Sequence, residues 1–190
     1  MVIAKATVFE RELPPAGTHQ AVCIAVYDLG LQEESWQGKS KVLHKVLFRW
    51  ELNKKIEKGD FAGKRFCVNK KYTLSLSDKA TLTADLISWL GKNLSKEDVE
   101  GGIDLDKFVG RNCLLAIAHN NVGDKTYANI TSISPLMDGM NPLTRESGLE
   151  VPNFVKQIQE KAIKRKTNPV AQAVAEAFDG EVLEDETIPF

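Results

Sequence analysis

Alternation of apolar and polar residues dominates the first two thirds of the chain. Residues Thr18 to Leu29 (THQAVCIAVYDL) follow Pro14-Pro15 and Gly17, are rich in Val, Ile and Tyr, and stop at Gly30, which predicts a long first strand. The polar stretch LQEESWQGKS reads as the loop that follows it. From Lys41 to Leu52 (KVLHKVLFRWEL), Val42, Val46, Phe48, Trp50 and Leu52 share one parity, and Lys39, Lys41, Lys45 and Arg49 share the other. A second strand with one apolar and one basic face is therefore expected. A third spans Arg65 to Leu76 (RFCVNKKYTLSL), with Phe66, Val68, Tyr72, Leu74 and Leu76 in phase and Arg65, Asn69, Lys71, Thr73 and Ser75 opposite.

The period then changes. Leu82, Leu86, Trp89 and Leu90 recur at helical spacing, Ser77 or Asp78 is available as the cap, and Gly91 supplies the stop. Ser95 and Asp98 have the spacing of a capping box for a short second helix, limited by Gly101-Gly102. Strands return over Asn112 to His119 and Lys125 to Ile133, joined by a turn through Asn120 to Asp124. Pro135, Gly139 and Pro142 close this region. Val151, Phe154, Val155, Ile158 and Ala162 then sit at helical spacing, with a basic end of Lys161, Lys164, Arg165 and Lys166 suited to a helix C-terminus. Asn168 and Pro169 are placed to open a further helix running to Gly180, and EVLEDETIPF, charged and without apolar period, is expected to be mobile.

The order is strand, strand, strand, helix, strand, strand. A mainly β protein follows, and the layout is that of the five-stranded Greek-key oligonucleotide-binding barrel, with a helix between strands 3 and 4. Residues 1–136 are assigned to that barrel, 137–179 to a helical C-terminal extension, and 180–190 to an acidic tail.

Charge sharpens this picture. The net charge of −1 conceals six acids and no base after position 175, so that residues 1–175 carry +5. A basic body attracts phosphates and an acidic tail competes with them. No stretch approaches the roughly 20 apolar residues of a membrane span, and Met1 to Phe9 lacks the pattern of a signal peptide. A cytoplasmic protein with no membrane partner is expected. Cys23, Cys67 and Cys113 are scattered in apolar stretches, and His19, His44 and His119 form no ligand-spaced set, so reduced thiols, no metal and no cofactor are expected.

Binding single strands requires cations for phosphates and flat side chains for bases. Lys39, Lys41, Lys45 and Arg49 on the second strand and Arg65 and Lys71 on the third supply the first, with Lys70 turning outward near a bulge. A solvated face is the plain alternative for any one lysine, but four on one strand beside two on the next favour a shared role. Trp36 in the first loop, Tyr127 on the parity of Lys125, and Tyr27 are the stacking candidates. Phe48, Trp50, Phe66 and Trp89 belong to apolar faces and are assigned to the core.

No catalytic constellation is present. Gly38-Lys39-Ser40 reads GKS, but Glu33 stands where a phosphate-binding loop needs its first Gly. An enzyme is not expected.

The C-terminal tip, Glu184, Asp185 and Glu186 followed by Ile188, Pro189 and Phe190, resembles that of the bacterial single-stranded DNA-binding proteins, with Thr187 interrupting the acidic run. The resemblance implies that the terminal ring and carboxylate enter a basic-rimmed apolar pocket on helicases, nucleases or polymerase subunits. The segments WQGKSKVLHKVLFRWEL, NKKYTLSLSDKATLTADLISWLGK and KTYANITSISPL resemble, more loosely, a phage family of barrel-type single-strand binders, which would place the protein in the cytoplasm of a bacterial host. Together these readings predict a replication or recombination protein that coats single-stranded DNA and recruits partners through its tail. The rival is a barrel that mainly docks proteins, or a strand-annealing factor. The sequence leaves a homodimer open.

Overall fold

A computed structural model of the chain describes residues 12–36, 39–148 and 150–166. Five strands, β1 (Gly17–Trp36), β2 (Lys39–Lys55), β3 (Arg65–Thr73), β4 (Asn112–Val122) and β5 (Lys125–Ser134), form one antiparallel sheet in the order β3-β2-β1-β4-β5. Between β3 and β4 lie helix α1 (Thr81–Leu90), helix α2 (Lys96–Gly101) and a 3-10 turn at Leu105–Phe108. Helix α3 (Asn153–Lys166) follows β5. The sheet is mainly β as expected and hydrogen-bonded as an open ladder, with β3 and β5 as its edges. Helix α1 packs against both edges. Among the described residues no helix is long and apolar enough to cross a membrane.

The core lies on the inner face of the curled sheet. Phe48, at its centre, stacks on Trp50 with centroids 5.5 Å apart and meets the edges of Tyr72, Trp89 and Phe108. Ala21, Cys23, Phe66, Val68, Cys113, Leu115, Ile117 and Ile133 complete it, drawing on all five strands. The indole N–H of Trp89 donates to the carbonyl of Asn112 at 3.0 Å, joining α1 to β4. The assignment of Phe48, Trp50, Phe66 and Trp89 to the core thus matches the structure, and Tyr72 joins them.

β1 extends well past Gly30. Its residues Gly30 to Trp36 pair with Lys39 to Lys45 of β2, so the expected polar loop is instead a two-stranded ribbon projecting roughly 20 Å at 3.3 Å per residue. Polar alternation without a buried face looks like a loop in sequence. Two register shifts, at Cys23/Ala25 and Asp28/Gly30, switch the side of β1 that faces inward. Because of them β1 has apolar residues on both faces: Val26 packs on the main core, whereas Tyr27 and Leu29 join Leu47, Val151, Val155 and Ile158 in a second cluster beneath α3.

At the second shift Gly30 adopts φ +68°, its N–H bonds the Asp28 side chain at 2.7 Å, and a Cβ there would lie 3.1 Å from Cβ of Ala162. Gln159 donates to the carbonyl of Asp28 at 2.7 Å. This bulge is where α3 is seated. Gly30→Ala is therefore expected to lower stability by about 1–2 kcal/mol, combining left-handed strain with displacement of α3, as read by urea unfolding; an unchanged midpoint would contradict it.

Other boundaries shift for local reasons. Helix α1 is capped at Ala80 without a side-chain bond and not at Ser77 or Asp78, because a turn in which the Ser77 carbonyl accepts the Ala80 N–H precedes the helix. Gly91 ends it in the left-handed conformation, and Ser95 and Asp98 form the capping box, both as expected. The β4–β5 hairpin closes through Gly123-Asp124, longer than its apolar pattern indicates. The expected helix from Asn168 to Gly180 and the tail lie outside the described residues.

Candidate nucleic-acid interface

The face of β1, β2 and β3 turned away from the main core carries Tyr27, Lys45, Leu47, Arg49, Glu51 and Lys71, the parity on which the sequence places cations. It is partly roofed. Residues 141–148 run across it as a strap, and α3 covers its neighbouring end through Leu29, Leu47 and Val155.

Glu51 anchors the strap. Its side chain is fully buried, and its carboxylate accepts the backbone N–H groups of Glu146 at 2.9 Å and Ser147 at 2.7 Å together with the Arg65 guanidinium at 3.1 Å. Burial alone would raise this carboxyl, but those donors outweigh it and hold it below the usual carboxylate range. Arg65 also donates to the carbonyl of Thr144 at 2.8 Å and pairs with Glu146 at 2.7 Å. Asn112 exchanges bonds with the backbone of Leu143, and Gln20 donates to the carbonyl of Asn141. The C-terminal extension is thereby tied to the sheet along its whole crossing.

The expectation of an open cationic face is corrected at three positions. Lys45 is only 6% exposed, paired with Glu34 at 2.9 Å and donating to Thr73 at 2.8 Å. Arg65 is committed to Glu51, Glu146 and Thr144. Lys70 does not turn outward at a bulge: it shares the inward parity with Tyr72, pairs with Asp85 of α1 at 2.6 Å and lies over the Tyr72 ring. Tyr72 donates to the same carboxylate at 2.8 Å, and burial, with Asp85 adding to it, holds the phenol well above its ordinary range. These three cations are structural links between elements.

Four cations fit the expectation better. Lys39 and Lys41 are exposed on the ribbon, opposite Trp36 and Glu34. Lys71 is accessible although it reaches Glu34 at 3.2 Å. Glu34, which burial would raise, is held below its ordinary range by Lys45 and Lys71. Arg49 is half-buried and donates to Asn69 at 3.1 Å, which fixes its guanidinium beside Tyr27. Burial raises the Tyr27 phenol and the Arg49 charge opposes that.

Of the stacking candidates, Tyr27 is half-buried at a cleft on this face and Tyr127 stands 47% exposed on β5. Trp36 ends β1, paired with Lys39, where a loop position had been expected. The expected partner-binding residues, Glu184, Asp185, Glu186, Ile188, Pro189 and Phe190, lie outside the described residues.

The cleft has a volume of about 240 Å³ and is bounded by Tyr27 and Arg49 on the sheet, Asp106 in the 3-10 turn and Val109 at its end, and Ser147 and Glu150 on or just beyond the strap. Sequence reasoning found Tyr27 and Arg49 but missed the opposite wall, which comes from segments distant in sequence. Among the described residues no three His, Cys, Asp or Glu side chains cluster as a metal site. Cys23 and Cys113 are free and buried, and burial keeps both thiols protonated, that of Cys23 pushed up to about 12. Compared with protein-family models and with curated proteins, the chain matches neither a family nor a relative.

Proposed function

We propose that the protein binds single-stranded DNA as an oligonucleotide-binding barrel and serves replication or recombination, with the acidic tip, residues 184–190, recruiting partner proteins. The strand order β3-β2-β1-β4-β5, with α1 between the third and fourth strands and set against both sheet edges, supports that fold assignment. In such barrels the outer face of the second and third strands, and the loops joining strands 1–2 and 4–5, hold the nucleic acid.

One observation carries the reading. The two hairpins at those connections are the ones lengthened in this chain, and they bear exposed Lys39, Lys41 and Lys125 and the exposed ring of Tyr127, while Arg49 and Lys71 occupy the face of β2 and β3. Exposed cations and an exposed aromatic ring on the elements that such barrels use support the reading, since single strands require that pairing.

Salt dependence tests it. With the exposed Lys39, Lys41, Lys71 and Lys125 each neutralising a phosphate, the affinity for labelled oligo-dT should fall with log salt at a slope of about −3. Replacing Lys39 and Lys41 together by alanine should roughly halve that slope. Trp50 and Trp89 are buried, so direct quenching by bases should report Trp36 and vanish in Trp36→Phe. Indifference to oligo-dT in dilute buffer would defeat the proposal, and capture of proteins without DNA binding would favour the docking rival. Faster duplex formation from complementary strands would point to annealing.

A further inference from the structure

We propose that the cleft between Tyr27, Arg49 and the strap seats one unstacked guanine base. The inference rests on the single-strand reading and adds a base preference to it.

The size of the cleft selects its occupant first. At about 240 Å³ it lies below the roughly 300 Å³ at which pockets for drug-sized ligands begin. That is room for a planar heterocycle and not for a length of chain.

Charge selects next. Among the described residues Arg49 is the one cation lining the cleft, and Asp106 and Glu150 both line it as well. Two carboxylates against one guanidinium repel a phosphate, so the groups gathered here suit a neutral ligand with both acceptors and N–H donors. Ile24, Val26 and Val109 supply apolar wall, and the Tyr27 ring a face for stacking.

Hydrogen-bond chemistry then separates the bases. Asn69 holds Arg49 through one Nη1 contact, and among the described residues no other group takes its remaining guanidinium donors. Guanine presents O6 and N7, the acceptor pair that a guanidinium engages in two parallel bonds, and carries N–H donors at N1 and N2 for carboxylates. Adenine offers an amino donor without such an acceptor pair, thymine a single ring N–H, and unpaired cytosine the acceptors O2 and N3 but one donor nitrogen for two carboxylates. Guanine is the base that offers the guanidinium an acceptor pair and each carboxylate a donor nitrogen of its own.

Competition among oligonucleotides tests this. In the full-length protein, an oligo-dT carrying one central guanine should bind about tenfold tighter than oligo-dT of equal length, the discrimination of one good bidentate contact. Inosine, which lacks the N2 amino group, should fall between them. The double variant Arg49→Lys, Glu150→Ala takes away the paired guanidinium donors and one carboxylate acceptor of the cleft, and should bring the ratio of the two affinities close to one. Using the ratio cancels the general gain in affinity that follows from removing one negative charge. Guanosine monophosphate as competitor distinguishes a base within a strand from a free nucleotide, and should leave the preference intact at micromolar concentration. Binding of oligo-dT with no guanine preference, a preference that survives the double variant, or its removal by micromolar nucleotide would each overturn the guanine site while leaving the single-strand reading in place. Absence of all oligonucleotide binding would overturn both.

Discussion

Phe48→Ala is expected to lower the unfolding free energy by about 3–5 kcal/mol, enough to unfold much of the population of a marginally stable domain. Phe48 is 1% exposed and is the ring that Trp50, Tyr72, Trp89 and Phe108 share. Removing it opens a cavity where β2, β3, α1 and the 3-10 turn meet, and no neighbour can fill that space without leaving its own contacts. Phe48→Leu retains much of the volume and should be milder, by about 2 kcal/mol. Guanidinium denaturation followed by far-ultraviolet circular dichroism measures both, and equal midpoints for Phe48→Ala and the parent would refute the assignment of the core.

Glu51→Ala should cost about 3 kcal/mol for a different reason. It leaves the Arg65 guanidinium and the N–H groups of Glu146 and Ser147 facing an emptied, buried acceptor position. Amide exchange at Glu146 and Ser147 should accelerate more than at Leu115 in the core, and equal protection across the sheet would show that Glu51 does not hold the strap. The same group sets a pH dependence. Its folded carboxyl titrates below its ordinary value, so the unfolded chain takes up the proton first as acid is added. The stabilisation is therefore complete above the ordinary carboxylate range and disappears as pH falls through the lower folded value. Stability of the parent protein should decline on acidification below about pH 4.5, the ordinary value, and the decline should be shallower in Glu51→Ala.

The core was legible because alternation is enforced by burial: Val46, Phe48, Trp50 and Leu52 face inward at every second residue, as they must on a half-buried strand. The ribbon was not, because no apolar side chain of residues 31–35 or 39–44 is fully buried, and so none imposes an apolar period on LQEESW. The charged residues were legible as residues but not as partners. Lys45 and Glu34 lie in different strands, and their meeting depends on a register that two bulges reset. Glu51 shares the outer parity of Arg49, and nothing in the sequence around it marks it for burial. Its burial comes from a segment about a hundred residues later, and a sequence offers no local sign of a roof that arrives from so far away. The candidate interface was accordingly half visible: Tyr27 and Arg49 follow from strand parity, whereas Ser147 and Glu150 require the strap to be seen in place.

The strap also bears on the guanine site. Glu51 holds Ser147, and Ser147 borders the cleft. A change that loosens the clasp should weaken base discrimination before it weakens attraction to phosphates, since the exposed cations of the ribbon do not depend on that contact.

The ribbon is held to β3 at its base, where Lys45 and Lys71 reach Glu34, and beyond that point each of its strands has only the other as a neighbour. An isolated pair of strands is only marginally stable in water, so this arm swings more readily than the body that bears it. A ligand lying along it must arrest that swing, and arrest consumes conformational freedom. On the proposed reading, grip by Lys39 and Lys41 should strengthen a complex less than the same grip from a rigid surface, yet would let one molecule follow a strand whose path bends.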